Sequence, residues 1–310
     1  MSFPSPSITA PTLSNWQFQF NGLTFGSGQA VKVKGVTGLG DLPTIRTGDA
    51  PRPRDHGELI GLDLYSGRDI TFDLEAESST GVVESTLLTL AAATLTGLTT
   101  EQPLWFQLPG LPLLAVMCRP RKRTTTWDVG FQIGNVGVVS VQFHATDARV
   151  YTAPSLTATV GLPSPTAGLT FPVTFPVTFG TVAPSGVTVT NSGNTEIRPV
   201  LVITGPVTNP SVENASIAGN PVLTFSNPNQ TGYTVAAGDQ LVVDLDTHSI
   251  LYYVGGVSSG SAPASRGNWL VAGSTWWNLP PGNNLIQFLS RDSSSVAGTC
   301  TVQWASGYEL

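Results

Sequence analysis

The sequence is poor in charge. Lys, Arg, Asp and Glu together make up 11% of its 310 residues, less than half of the ordinary share of about 25%. Lysine occurs only at Lys32, Lys34 and Lys122, and the formal net charge is -6. Phosphate binding needs clustered Lys and Arg, so a nucleic-acid partner is not expected. We interpret the one basic run, Arg119–Arg123, as an exposed turn or a subunit contact.

The sequence also lacks the marks of a secreted or membrane-spanning protein. Its two cysteines, Cys118 and Cys300, are far apart, which is no disulfide framework. No run of about 18 or more apolar residues occurs, so no membrane insertion is expected. The first residues have neither a charged segment nor an apolar core, and therefore do not resemble a signal peptide. We expect synthesis in a cytoplasm.

Patterns for metal binding or nucleophilic catalysis are missing as well. The three histidines have no second His or Cys at ligand spacing near them: His56, His144 and His248. No Gly-x-Ser-x-Gly elbow occurs. The glycine-rich stretch Gly35–Gly40 lacks the Lys-Ser/Thr ending of a phosphate-binding loop. No metal and no cofactor are expected.

The best case for an enzyme is a pair of aspartates, Asp244 and Asp246. Two residues apart on a strand, they would stand about 7 Å from each other, within the range of glycosidase carboxylates. A catalytic acid also needs an apolar pocket that raises its pKa, and the surrounding sequence indicates none. We interpret both aspartates as the outward polar face of a strand and expect no enzymatic activity.

What the sequence has in quantity is glycine and proline, 33 and 24 residues. Both break helices and mark turns. Together with abundant Thr, Val and Ser, they favour many short strands joined by turns. The hydrophobic share of 40% is enough to bury cores, and the length suits about two domains. The fold class predicted from composition is mainly β.

The first half predicts alternating strands and one helix. Trp16, Phe18 and Phe20 share one face and precede Asn21-Gly22, the preferred pair of a type I′ hairpin turn. From Gly81 to Leu95 apolar residues recur at helical spacing, which predicts an amphipathic helix capped by Ser79 or Thr80. Further strands are predicted at Leu23–Phe25, Val31–Lys34, Ile60–Leu64, Ile70–Glu75, Leu104–Gln107, Leu114–Arg119, Trp127–Ile133 and Val138–His144, with those at 60–64 and 70–75 forming a hairpin.

Residues 152–180 predict a linker or an extended arm. Charges vanish there, and Phe171-Pro-Val-Thr repeats directly as Phe175-Pro-Val-Thr. Proline at every fourth place forbids a regular ladder or a helix. The segment is too apolar to be left in water, so we expect it to lie against another surface.

From Thr181 onward the predicted elements are all strands. Their spacing and the turn residues between them are typical of a sandwich or a jelly roll. The expected organisation is a domain of residues 1–151, the linker of residues 152–180, and a second domain of residues 181–310. The predicted strands of the second domain are Val187–Thr190, Val200–Ile203, Val222–Phe225, Gln240–Asp246, Ser249–Val254, Trp269–Leu270, Leu285–Phe288 and Thr299–Trp304.

The order of these motifs resembles the distal tail protein family of siphophages, especially of phages that infect actinobacteria. In the first half the motifs are Asn21-Gly22, the Pro- and Arg-bearing loop Pro43–Arg54, His56-Gly57, Gly67–Ile70, the helix, and the closing strand Val141–Tyr151. In the second half they are Asn191–Asn194, Pro199, Ile203–Gly205, Asn209-Pro210, Gly238-Asp239, Pro280–Asn284, Trp304 and Tyr308. Ala148 departs from the family, which has a proline there.

The resemblance implies a fold and a role. It implies a β-barrel-like N-terminal belt domain with one helix, which assembles as a ring of six around the tail channel, and a galectin-like C-terminal β-sandwich that projects outward. The ring would lie at the tail tip of the virion, between the tail tube protein and the tail-tip hub protein. The tape measure protein and receptor-binding proteins are the further partners implied.

Two groups of residues are candidates for contacts. The loop Asp41–Gly57 is a candidate ring interface, with the charged side chains Arg46, Asp49, Arg52 and Arg54. The second group lies late in the sequence and carries the alternative function, a carbohydrate-binding sandwich in host-surface adhesion: Trp269, Trp276 and Trp277, with Arg266 and Asn268 to bond sugar hydroxyls. Core or subunit packing explains the same tryptophans, because Trp buries a large area in sandwiches.

Overall fold

The computed structural model describes residues 3, 8–77, 83–127, 129, 131, 136–163, 185–226, 234–290 and 297–310. The chain is mainly β, as predicted. It divides into two compact units, which we call the N-terminal unit (Ser2–Pro154 with Gly307–Leu310) and the C-terminal unit (Ser155–Ser306). No helix among the described residues is long and apolar enough to cross a membrane.

The described part of the N-terminal unit contains twelve strands that precede residue 155, one further strand from the chain end, and one helix whose bounds are described. The strands are β1 Gln17–Phe20, β2 Leu23–Gly26, β3 Val31–Thr37, β4 Ile45–Arg46, β5 Ala50–Pro51, β6 Glu58–Leu59, β7 Leu64–Tyr65, β8 Arg68–Glu77, β9 Gln102–Gln107, β10 Leu114–Thr126, β11 Val136–Ala145 and β12 Val150–Thr152. The helix, α1, is Val83–Ala93 and confirms the predicted helix; its predicted caps lie outside the described residues.

The main sheet of this unit has the order β2-β1-β9-β10-β11-β8-β3. All of its neighbouring strands are antiparallel. Among the described strands, β2 and β3 end the sheet and do not pair with each other, so the sheet is not closed into a barrel.

The core of the N-terminal unit forms because strand residues alternate between a buried and a polar face. Every second residue of β8 is buried, from Arg68 to Ala76. Phe72 lies at its centre, edge-on to Phe18 at 5.0 Å, Phe25 at 5.4 Å and Phe143 at 5.8 Å between ring centroids. The apolar face of α1 packs on the same core through Val83, Leu87 and Leu90.

The C-terminal unit has two main sheets. Its strands are β13 Leu156–Gly161, β14 Gly186–Asn191, β15 Val200–Thr204, β16 Val207–Thr208, β17 Pro210–Asn214, β18 Val222–Thr224, β19 Thr234–Val235, β20 Gln240–Asp244, β21 Ser249–Tyr253, β22 Ala264–Ser265, β23 Gly282–Ser290 and β24 Thr299–Trp304. One sheet has the order β13-β24-β15-β20-β21-β22, the other β14-β23-β17-β18. The indole Nε1 of Trp304 in β24 donates to the carbonyl oxygen of Thr190 in β14 and links the two.

The last strand, β25 (Gly307–Tyr308), returns to the N-terminal unit. It pairs antiparallel with β12, with Val150 opposite Tyr308 and Tyr151 opposite Gly307. Tyr308 and Leu310 pack against the N-terminal core. The chain end is therefore part of the first unit, which the sequence did not predict.

Three predicted strands were wrong. Residues 60–64 do not pair with β8. Leu64–Tyr65 pairs with Ile45–Arg46 instead, so the predicted hairpin of residues 60–64 and 70–75 does not form. Of Trp127–Ile133 the structure describes three residues, and two of them, Val129 and Phe131, are helical; Trp127 packs on Phe131 at 4.4 Å, the contact of residues one helical turn apart. Trp269 ends a 3₁₀ turn, Gly267–Trp269.

The predicted linker, residues 152–180, is described only at its start, residues 152–163. Leu156–Gly161 forms β13 and pairs along its whole length with β24. The proline repeat at Phe171 and Phe175 lies outside the described residues. Trp16, predicted to share a strand face with Phe18, precedes β1 instead and is half exposed, with a φ of 62°.

Candidate functional site

The chain between Thr44 and Ser66 forms a narrow two-stranded projection, which we call the arm. Its rungs are the pairs β4–β7 and β5–β6. Two glycines let its strands approach: a Cβ on Gly61 would lie 2.0 Å from the carbonyl oxygen of Gly48. Gly61 N–H donates to the Oδ1 of Asp49 at 2.8 Å. The arm is thus held by its own backbone and one carboxylate.

The arm exposes apolar side chains to solvent. From Thr44 to Tyr65 every residue is exposed except half-buried Gly61. Ile60 is 97% and Leu62 74% exposed, and Leu59 lies beside them with half of its surface exposed. Contiguous apolar residues exposed on a protein surface are a common mark of interaction sites. The alternation that predicted a buried strand face at 60–64 is real, but no part of the described chain covers it.

The predicted ring-interface residues all lie on the arm. Arg46, Asp49, Arg52 and Arg54 are exposed. Arg52 and Asp55 approach to 3.9 Å, a surface pair of little energetic worth. The structure therefore brings the four residues onto one projecting element, where Asp49 has the structural role already described.

The base of the arm is fixed by a buried arginine that the sequence reasoning missed. Arg68 is 2% exposed, and its Nη1 donates to the carbonyl oxygens of Gly38 at 3.0 Å and Leu39 at 2.5 Å. Burial lowers the pKa of Arg68, while the charges of Asp41, Glu309 and Asp147 act in the opposite direction. The alternation of the strand could have indicated its burial, because Arg68 lies on the same face of β8 as the buried residues.

A second apolar surface of the same unit lies beside α1. A groove of about 350 Å³ runs between the helix and the end of β10. Leu88 and Trp127 at its edge are 71% and 66% exposed. Arg123, in the groove wall, donates to the carbonyl oxygen of Ala91 at 2.8 Å and so ties β10 to the helix. The groove is lined by Glu84, Leu87, Leu88, Leu90, Ala91, Arg123, Thr125, Trp127 and Val139.

The late tryptophans do not form one surface. Trp277 is 4% exposed and Trp304 5%, so both are core residues. Trp276 is half-buried and stacks on His248 with ring centroids 4.4 Å apart. Trp269 is half-buried and packs edge-on against Tyr252 at 5.6 Å.

Arg266 and Trp269 do come together. The guanidinium carbon of Arg266 lies 4.6 Å from the ring centroid of Trp269 and 5.9 Å from that of Tyr252, a cation–π arrangement. Asn268 is exposed. Arg266, Asn268 and Trp269 thus form one small patch, while Trp276 belongs to a separate contact and Trp277 is inaccessible.

The two aspartates of the enzyme case have structural roles. Asp244 Oδ1 accepts the backbone N–H groups of Asp246 at 2.9 Å and Thr247 at 3.3 Å, which stabilises the turn after β20. Asp246 lies beyond the strand and pairs with Arg198 at 3.1 Å. Among the described residues, no group of three or more His, Cys, Asp or Glu side chains is placed to hold a metal ion.

Comparison with solved structures gives a likeness over almost the whole chain. The Dit protein of phage SPP1, described as a paradigm of the hub adsorption apparatus in Gram-positive infecting phages, matches with a TM-score of 0.58 at 14% identity, covering 93% of this chain and 98% of that one. A chain of the phage P2 baseplate in its activated conformation with Ca matches with a TM-score of 0.52 at 12% identity, covering 93% and 97%. At such identity the likeness shows a shared fold.

No family model and no curated protein matches the sequence.

Proposed function

We propose that this chain is a structural subunit of the tail tip of a long-tailed bacteriophage, a distal tail protein. The observation that carries the proposal is the extent of the structural likeness: 93% of the chain aligns with 98% of a phage hub protein. A likeness that covers both units in one alignment favours the same kind of protein, since shared folds of single domains are common among unrelated functions. The family resemblance of the sequence motifs supports the same role.

In this role the chain forms a ring, six subunits in the family, between the tail tube protein and the tail-tip hub protein. Rings are built from heterologous contacts, in which one surface of a subunit meets a different surface of the next. The exposed arm is a suitable element for such a contact because its apolar residues have no partner within the described chain. Its charged residues Arg46, Asp49, Arg52 and Arg54 would form the polar rim.

The proposed division of labour follows the two parts of the chain. The N-terminal domain, predicted as residues 1–151, forms the belt. The galectin-like C-terminal sandwich, whose sheet includes β13 from the start of the predicted linker of residues 152–180, offers a platform for receptor-binding proteins. The tape measure protein is a further neighbour. The role is structural and not enzymatic, in keeping with the structural duties of Asp244 and Asp246. The protein would be located in the virion, at the tail tip.

The test is the state of the full chain in solution. Light scattering gives its mass, and negative-stain imaging of the same peak gives its shape, both alone and mixed with the tail tube and hub proteins of the same phage. We expect closed rings with a central channel. A chain that stays monomeric under all these conditions, and whose antibody does not label the tail tip of virions, would contradict the proposal.

A second candidate function, carbohydrate binding by the C-terminal unit, has one observation in its favour. Arg266, Asn268 and Trp269 lie together and are not fully buried. A glycan array with the full chain tests it. Binding that is lost in Trp269→Ala and kept in Trp276→Ala would support a sugar site at this patch, whereas equal loss or no binding would indicate that the tryptophans serve packing.

A further inference from the structure

Two separate apolar surfaces are exposed on the N-terminal unit. One is the arm segment Leu59–Leu62, and the other is the groove beside α1. Water-exposed apolar side chains cost free energy on both surfaces, and a contact between them would remove that cost from both. In the described chain they do not meet, since Ile60 is 97% exposed. The second copy of the same chain carries the missing partner for each.

The groove and the arm segment suit each other in size. The groove has a volume of about 350 Å³, and at roughly 30 Å³ for each water-sized group it holds the side chains of Ile60 and Leu62 together. These two residues are at most about 7 Å apart along the backbone. Gly61 between them has no side chain to obstruct the approach, and its backbone already packs on Gly48.

Charge also favours this pairing. The residues that bracket the apolar segment, Glu58 and Asp63, are both acidic. The groove lining contains one basic residue, Arg123, and one acidic residue, Glu84. An acidic-flanked segment that enters the groove with Glu58 or Asp63 beside Arg123 and away from Glu84 brings opposite charges together, which sets the register of the contact.

We propose that the groove beside α1 receives the segment Leu59–Leu62 from the arm of a second copy of this chain. The proposal rests on the proposed ring, and it names the two surfaces that meet at each contact between neighbouring subunits. Each subunit gives its arm to one neighbour and its groove to the other, so the contact is heterologous and propagates to a closed ring or to an open filament.

The test joins two differently tagged copies, each with one new cysteine. Ile60→Cys places a thiol on the arm of one copy, and Leu88→Cys places a thiol at the groove of the other. Thr124→Cys is the matched control, because it is exposed on β10 next to groove residue Thr125 but on the opposite face of the sheet. The natural Cys118 and Cys300 are buried and do not compete.

After mild oxidation, a disulfide between the 60 and 88 positions at a yield at least about 10-fold above that of the 60 and 124 positions would support the proposal. Closed rings in negative-stain images of a preparation that does not form this disulfide would overturn the groove assignment and leave the ring proposal standing. The disulfide in a preparation that forms filaments or open chains would support the docking and count against the ring. If neither rings nor the disulfide formed, the result would overturn both the ring proposal and the groove assignment.

Discussion

The Nε atom of Arg68 donates a hydrogen bond of 2.9 Å to the carbonyl oxygen of Ala148, and so joins the start of β8 to the segment before β12. The same side chain bonds the backbone at Gly38 and Leu39. A buried arginine that serves three backbone carbonyls holds three distant parts of the chain in one place. The arm leaves the sheet between two of these parts, so its base is set by this one side chain.

Arg68→Met should therefore destabilise the N-terminal unit. The thioether fills much of the space but leaves buried carbonyl oxygens without donors, at about 1–3 kcal/mol for each unpaired group, so we expect a loss of roughly 3 kcal/mol. Urea unfolding followed by circular dichroism measures it. Arg52→Met on the exposed arm is the control and should change stability by less than about 0.5 kcal/mol. A similarly small change for Arg68→Met would show that the buried bonds contribute little.

The sequence predicted the mainly β fold and α1 because those signals are local. Alternation in Ile70–Glu75 and helical spacing in residues 81–95 reflect one buried face each, and a periodic pattern carries that information. The strand at Ile60–Leu64 failed for the same reason. An apolar face there satisfies the periodicity whether the covering surface belongs to this chain or to another molecule, and pattern alone does not distinguish the two.

The candidate site was predicted in part. The arm lies where the Pro- and Arg-bearing loop was expected, because proline, glycine and charge mark exposed segments. The groove beside α1 was not predicted, since it joins a helix to a strand end some 30 residues away (Arg123 bonds Ala91, a separation of 32). The grouping of Arg266 with Trp269 was predicted, but the burial of Trp277 depends on tertiary packing, which a local pattern does not show.

The chain end should be needed for the stability of the N-terminal unit. Removing Gly307–Leu310 deletes β25 and takes Tyr308 and Leu310 from the core edge. At about 25 cal/mol for each Å² of apolar surface, we expect a loss of roughly 2 kcal/mol. Hydrogen exchange should become faster at Val150–Thr152 and stay unchanged at Gly186–Asn191. Unchanged exchange at β12 would show that the terminal pairing is not stabilising.

Both thiols should be unreactive in the folded protein. Burial raises the pKa of Cys118 well above its usual range and that of Cys300 to about 12. The thiolate is the reactive form, and buried thiols are also shielded from reagents. Titration with an aromatic disulfide at pH 8 should therefore detect no thiol in the native protein and both after unfolding. Rapid labelling of either cysteine in the native protein would contradict their burial.

A carboxylate in the C-terminal unit should make its stability depend on pH. The Tyr252 hydroxyl donates to Asp239, and the backbone N–H of Gly255 donates to the same carboxylate at 2.8 Å. The Tyr252 hydrogen bond, and then that of Gly255, holds the pKa of Asp239 below its ordinary value of 3.8. Burial, followed by the Asp239 hydrogen bond, raises the pKa of Tyr252.

The direction of each pH effect follows from the protonation state that the folded protein favours for Asp239 and for Tyr252. A depressed carboxylate pKa adds stability above the unfolded pKa and loses it as the pH falls through the folded value. A raised tyrosine pKa adds stability below its unfolded value, 10.0, and loses it as the pH rises through the folded one. Because Asp239 is only half-buried, solvent screening keeps the effect small. Tyr252→Phe should flatten both limbs of the stability profile between pH 3 and pH 11, as measured by urea unfolding, whereas Tyr253→Phe on the same strand should leave them unchanged. Acid and alkaline limbs in Tyr252→Phe as steep as those of the natural chain would rule out this pair as their source.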